Sequence, residues 1–129
     1  MNFCVATLLT VFRMVVIPVQ FEDRDFTCTV EQLGQTIQQA EDYFNSQPGL
    51  EDEYRFDLVP VITLPKPVSY YGANYSDRQD VLLHEAVRYA CSKSGLDFSP
   101  YDNDQDGSVD NVFIITAGLS EADGAGEEW

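Results

Sequence analysis

The chain has 129 residues, of which 44% are hydrophobic and 12% aromatic, so it is long enough to bury one core. It carries 22 acidic against 7 basic side chains and has a formal net charge of -15. This balance argues against nucleic acid and anionic membrane surfaces as partners, because both are bound through clustered cations. We expect no membrane span, because the apolar stretch from Phe3 to Phe12 is too short for one.

The first half of the chain predicts a strand followed by a helix. Met14 to Phe21 is mostly apolar and predicts a strand, in which Pro18 favours an end, a bulge or an edge position. Thr29 and Gln32 have the spacing of a capping box and predict the start of a helix. Apolar residues at helical spacing form its packed face: Val30, Leu33, Ile37, Ala40 and Phe44.

The second half predicts a strand, a loop, a helix and a last strand. Residues 54–64 alternate as a peripheral strand containing Pro60, 65–75 form a loop, and Ser76 with Gln79 opens a second helix. That helix packs through apolar residues and ends at a glycine: Leu82, Leu83, Ala86, Val87, Ala90 and Gly95. Residues 112–117 are predicted to form a buried strand. This order predicts an α/β fold with crossover helices.

An acidic loop precedes the last strand and has the spacing of a calcium loop. Counting Asp102 as position one, carboxylates fall at positions one, three, five and nine, and a glycine at six permits a sharp turn: Asp102, Asp104, Asp106, Asp110 and Gly107. Ser108, at position seven, can offer its backbone carbonyl. The match to an EF-hand fails at position twelve, which is Phe113 instead of glutamate. We predict structural Ca²⁺ here; the alternative is a solvated acidic turn without an ion.

No complete catalytic site is present in the sequence. His84 and Glu85 begin a zinc-protease pattern on a helix, but the place of the second histidine, one turn later, is occupied by Arg88. His84 is the only histidine in the chain, and we expect it not to bind zinc. Whether Glu121 or Asp123, in the acidic tail, binds a second ion stays open.

Several segments together resemble one family, the secreted immune inhibitor A-like zinc metallopeptidases. The likeness covers about residues 13–129, and the acidic loop with its following strand is the most specific part. The segments that carry it are Val15 to Asp23, Tyr71 to Asn74, Asp97 and Phe98, Tyr101 to Asp110, and Ile114 to Ala122.

This resemblance implies a zincin-like (metzincin-type) N-terminal subdomain at 13–129, with two helices packed on a twisted, mostly parallel sheet. It also implies that the subdomain is truncated before the zinc helix, and it leaves residues 1–12 unplaced. It also implies that Ca²⁺ is bound by four aspartates of the acidic loop: Asp102, Asp104, Asp106 and Asp110. Zinc and a protein or peptide substrate are expected only for the intact enzyme, so the 129-residue chain alone should be inactive. Secretion or a cell-surface location and a monomeric state are further expectations.

Two other classes of protein stay open at this point. A non-catalytic calcium-binding surface or adhesion module explains the same aspartates and the missing zinc ligands. A generic acidic α/β binding domain explains the charge but not the register of the loop.

Overall fold

The computed structural model describes residues 10–49, 52–72 and 78–119. These ranges form an α/β fold with four strands and three α-helices, and a short 3₁₀ helix precedes the acidic loop. The elements in chain order are β1 (Val11–Gln20), α1 (Val30–Asn45), β2 (Glu53–Leu58), β3 (Ile62–Thr63), α2 (Val68–Tyr71), α3 (Gln79–Ser94), the 3₁₀ helix (Ser99–Tyr101) and β4 (Val112–Thr116).

The sheet is built around β1, and all its named strand pairs are parallel. Val15 and Val16 are paired with both β2 and β4, so these two strands lie on opposite edges of β1. Val19 is paired with both β3 and β4, which places β3 on the same edge as β2. The observed fold class and the parallel sheet agree with the sequence prediction.

Pro18 lies in the central strand, so the expected end, bulge or edge position is wrong. The carbonyl groups of Val16 and Gln20 accept hydrogen bonds from Val59 and Leu64, on the β2 and β3 side. Because backbone groups alternate between edges along a strand, Pro18 turns its missing N–H to that same side. There the neighbouring strand is interrupted between β2 and β3, so no ladder hydrogen bond is lost.

The two faces of the sheet are covered by different helices. Val15, Ile17 and Val19 are fully buried on the face that packs against α3. Met14 and Phe56 are a paired position on the other face, where the Phe56 ring lies 5.4 Å from that of Phe44 in α1. The largest side chains of the core that are fully buried include Tyr71, Phe21, Ile17 and Leu64.

Two of the predicted helix ends are confirmed, and one predicted helix start is wrong. Thr29 and Gln32 form both hydrogen bonds of the capping box, at 3.2 and 2.8 Å, which confirms the start of α1. Gly95 ends α3 in the left-handed conformation with a φ of 63°, as expected. The start of α3 was placed too early: the helix begins at Gln79 with Arg78 at its N-cap, and Ser76 lies outside the described residues.

Other departures from the sequence prediction concern element bounds and exposure. Residues 54–64 form two strands instead of one, and α2 lies within the predicted loop, so three α-helices replace the expected two. β1 begins at Val11, inside the segment 1–12 that the sequence left unplaced. Two residues assigned to packed helix faces, Val30 and Leu83, are exposed. Phe44 is 41% exposed, but its ring contacts that of Phe56, and Val87 is half-buried and packs against the core, so both belong to the faces predicted for them. None of the helices described is long and apolar enough to cross a membrane.

Candidate functional site

The acidic loop joins the 3₁₀ helix to β4 and follows a residue of the core. Tyr101 is 4% exposed, and the loop starts directly after it at Asp102. Two residues in the loop have positive φ, Gln105 at 59° and Gly107 at 93°. Glycine adopts such angles without a steric penalty, and this explains its presence at the sixth position.

Three of the predicted metal ligands converge in this loop. Asp102, Asp104 and Asp106 each offer a carboxylate oxygen, and these oxygens lie within 4.8 Å of one another. Backbone N–H groups shape the turn: those of Asp106 and Gly107 donate to Asp102, at 3.1 and 2.9 Å. Three like charges held this close repel unless a cation or protons lie between them. Oxygen-only donors in this arrangement suit a hard divalent cation.

The other two predicted ligands are placed differently. The Asp110 carboxylate lies outside the group of three, and its Oδ2 accepts hydrogen bonds from the backbone and side chain of Asn103, at 2.7 and 3.1 Å. A ninth-position ligand often reaches calcium through a water molecule, which is compatible with this position. The Ser108 N–H donates to Asp106 Oδ1 at 2.8 Å. Glu121 and Asp123 lie outside the described residues.

Asn103 fastens the loop to the central strand, a role that the sequence analysis missed. Its Oδ1 accepts from the Arg13 backbone N–H at 2.7 Å, and its Nδ2 donates to the Arg13 carbonyl at 3.0 Å. Arg13 stands two residues before Val15, the first residue of β1 that is paired with β4. The asparagine side chain therefore continues the ladder of β4 beyond its end. Position two of a calcium loop does not bind the ion, so the calcium pattern draws no attention to it. The amide side chain at that position is the only sign of the anchoring role in the sequence.

A charged cluster supports the base of the loop. The Arg13 guanidinium contacts Asp57 Oδ2 through Nη2 at 2.5 Å and Nε at 3.1 Å, and the Tyr101 hydroxyl donates to the same oxygen at 3.2 Å. Burial, and then the adjacent Asp57 charge, raises the pKa of the Tyr101 phenol. The hydrogen bond to Asp57 also raises the pKa of Arg13. Loop, β1 and β2 are thus linked by charge-assisted hydrogen bonds.

Replacing Asn103 with alanine is expected to lower the free energy of unfolding by about 1–3 kcal/mol, since the Arg13 N–H and carbonyl lose their partners. Urea denaturation measures this loss. Asn111→Ala is the matched control, because Asn111 is exposed just before β4, and its effect should stay within about 0.5 kcal/mol. Equal values for the two variants would contradict the anchoring role of Asn103.

Zinc does not fit the described residues. His84 is exposed on α3, and the Arg88 guanidinium one turn later lies 3.9 Å from the Glu85 carboxylate. Glu85 is also engaged by the Tyr71 hydroxyl, whose pKa is raised first by burial and then by this hydrogen bond. Within the described ranges, the aspartate group is the only cluster of three potential metal ligands, and it lacks nitrogen and sulfur donors.

Fold and loop together define an α/β protein that presents an oxygen-rich acidic loop beside the end of a parallel sheet. Comparisons with protein-family models, curated proteins and solved structures give no match for this chain. What the protein does therefore has to follow from the chemistry of its own residues.

Proposed function

We propose that the chain is the N-terminal part of a secreted zinc metallopeptidase domain of the immune inhibitor A-like type, with a structural Ca²⁺ ion in its acidic loop. The observation that carries the calcium part is the convergence of the Asp102, Asp104 and Asp106 oxygens within 4.8 Å. The resemblance of about residues 13–129 supports the metallopeptidase part, and the α/β fold is compatible with it. A zincin-like fold of the domain is part of the same proposal.

Calcium is the cation that best matches the donors. Ca²⁺ accepts six to eight oxygen ligands in flexible geometry, whereas Mg²⁺ requires a near-ideal octahedron and Zn²⁺ prefers nitrogen and sulfur. Asp102, Asp104 and Asp106 would bind directly, Asp110 through water, and Ser108 through its backbone carbonyl. The ion would cancel the mutual repulsion of the carboxylates in a chain whose net charge is -15.

The role of the ion would be structural. Asp102 follows the buried Tyr101, and Asn103 is hydrogen-bonded to the Arg13 backbone, so an ion that fixes the loop also fixes its attachment to the central strand. Ca²⁺ acidifies bound water much less than Zn²⁺ does, so the loop supplies no nucleophile for hydrolysis. The zinc of such an enzyme would need ligands other than those described.

The 129-residue protein is expected to hydrolyse no peptide bond, because it contains one histidine and its described residues bring no zinc ligand set together. A casein or gelatin assay with added zinc and calcium measures this. A polypeptide that continues past Trp129 into a His-Glu-x-x-His helix should cleave the same substrates and lose activity with a chelator. Chelator-sensitive cleavage by the short protein would contradict the proposal, as would an inactive extended form.

A second candidate function is a non-catalytic calcium-binding surface or adhesion module. It is favoured by the same aspartates together with the lack of a zinc site in the described residues, where Arg88 occupies the place of a second imidazole beside His84 and pairs with Glu85 instead. The coding sequence that follows the Trp129 codon separates the two candidates. An in-frame His-Glu-x-x-His segment favours the peptidase, and its absence favours the binding module.

A further inference from the structure

The edge of β2 that faces away from β1 has three outward positions. Glu53 and Val59, at the two ends of β2, donate their N–H groups to carbonyl groups in β1 or directly before it, each at 3.0 Å. Neighbouring residues of a strand turn their backbone groups to opposite edges, so the odd-numbered residues of β2 face β1. The backbone groups of Tyr54, Phe56 and Leu58 therefore point away from the sheet.

Two side chains of α1 bind these outward groups. The Tyr54 N–H donates to Asn45 Oδ1 at 2.8 Å, and Asn45 Nδ2 donates to the Tyr54 carbonyl at 2.9 Å. The Phe56 N–H donates to Glu41 Oε2 at 2.9 Å. The amide of Asn45 thus makes both hydrogen bonds that an opposing residue of an antiparallel strand would make to Tyr54.

The spacing of the two helix residues matches the spacing of the outward positions. Residues four apart in a helix lie on one face and about 6 Å apart along its axis. Residues two apart in a strand are separated by about 6.6 Å. Glu41 precedes Asn45 in α1, whereas its partner Phe56 follows Tyr54 in β2, so the helix runs antiparallel to the strand. Consecutive turns of α1 can therefore reach consecutive outward positions of β2.

Aromatic packing holds α1 in the position that these hydrogen bonds require. The ring of Phe44, the residue before Asn45, lies 6.1 Å from that of Tyr54 and 5.4 Å from that of Phe56. Glu41 is half-buried and Asn45 is exposed. Water can satisfy backbone groups at an exposed edge, so hydrogen bonding alone does not require these two side chains there. Their placement indicates that the edge itself is what they cover.

Unpaired backbone groups along an edge strand are a template for pairing with another chain, and natural proteins cover such edges to prevent it. We propose that Asn45 and Glu41 take the place of a neighbouring strand and thereby block the edge of β2 against strand addition. Apolar side chains at the outward positions Tyr54, Phe56 and Leu58 make an open β2 prone to such pairing. This role is independent of calcium binding and of proteolysis.

Hydrogen exchange in dilute protein tests the two contacts separately. Asn45→Ala should accelerate exchange of the Tyr54 amide by at least about tenfold and change that of Phe56 little, and Glu41→Ala should do the reverse. The amide of Asp57, which faces β1, reports general loosening of the strand and should change little in either variant. Glu41→Gln keeps an oxygen acceptor and should preserve the protection of Phe56.

Self-association tests the blocking role, which a merely stabilising contact would not have. In sedimentation velocity, Asn45→Ala and Glu41→Ala should form larger species than the unmodified protein at the same concentration. The amide freed in each variant, Tyr54 or Phe56, should regain protection as the concentration rises, because the opened edges then pair. Gln39→Ala, at an exposed position of the same helix, is the control and should sediment like the unmodified protein.

Three results would overturn the proposal. Unchanged exchange of Tyr54 and Phe56 in the alanine variants would show that the helix side chains do not protect the edge. Faster exchange in variants that sediment like the unmodified protein at every concentration would show that an open edge needs no block. Association that leaves the freed amide unprotected would assign the contact to another surface.

Discussion

Saturating Ca²⁺ is expected to raise the melting temperature of the protein by about 10 °C. An ion that binds only the folded loop stabilises it by about 2.7 kcal/mol when its free concentration is one hundred times the Kd. For a chain of this size that energy corresponds to a shift on the order of 10 °C. Differential scanning calorimetry with Ca²⁺ and with EDTA measures the difference.

Substitution by asparagine separates the effect of ion binding in the loop from the effect of the chain's overall negative charge. Asp104→Asn and Asp106→Asn keep an Oδ1 acceptor for the turn but remove a charge, so each should abolish most of the calcium shift while leaving the calcium-free protein folded. Asp25→Asn removes one charge from an exposed turn far along the chain and serves as the control. A calcium shift of equal size in all three variants would assign the effect to general charge screening.

Ile17→Ala is expected to destabilise the fold by about 2–5 kcal/mol, because it empties a fully buried position. Ile17 lies at the centre of β1, between the two paired edges, and belongs to the core cluster that α3 covers. Chemical denaturation at equilibrium measures the loss. Val30→Ala, at an exposed position of α1, should change stability by less than about 0.5 kcal/mol. A loss below about 1 kcal/mol at Ile17 would be incompatible with a central β1.

Local patterns predicted most elements of the fold, but not how they are arranged. The capping box at Thr29 and the terminal Gly95 are determined by neighbouring residues, and both were correct. Pro18 was misassigned because its tolerance depends on an interruption in a strand that is distant in sequence. Periodicity gave α1 a packed face that includes Val30, but Val30 is the first residue of the helix and is 62% exposed.

The same distinction holds for the candidate site. Alternate spacing predicted that Asp102, Asp104 and Asp106 would converge, since a turn of the loop itself brings them together. Asn103 was missed because its partner is the Arg13 backbone, 90 residues away. Asp110 was predicted to join the other carboxylates, but its Oδ2 accepts hydrogen bonds from Asn103 instead. Long-range contacts of this kind leave no periodic signal in one sequence.

Isothermal titration calorimetry of the purified protein with CaCl₂ measures calcium binding by the acidic loop. We expect saturable binding of one Ca²⁺ ion per chain, which disappears in Asp104→Asn and persists in Asp25→Asn. Absence of binding heat at millimolar Ca²⁺, together with an unchanged melting temperature, would show that the loop is a solvated acidic turn and would contradict a calcium site.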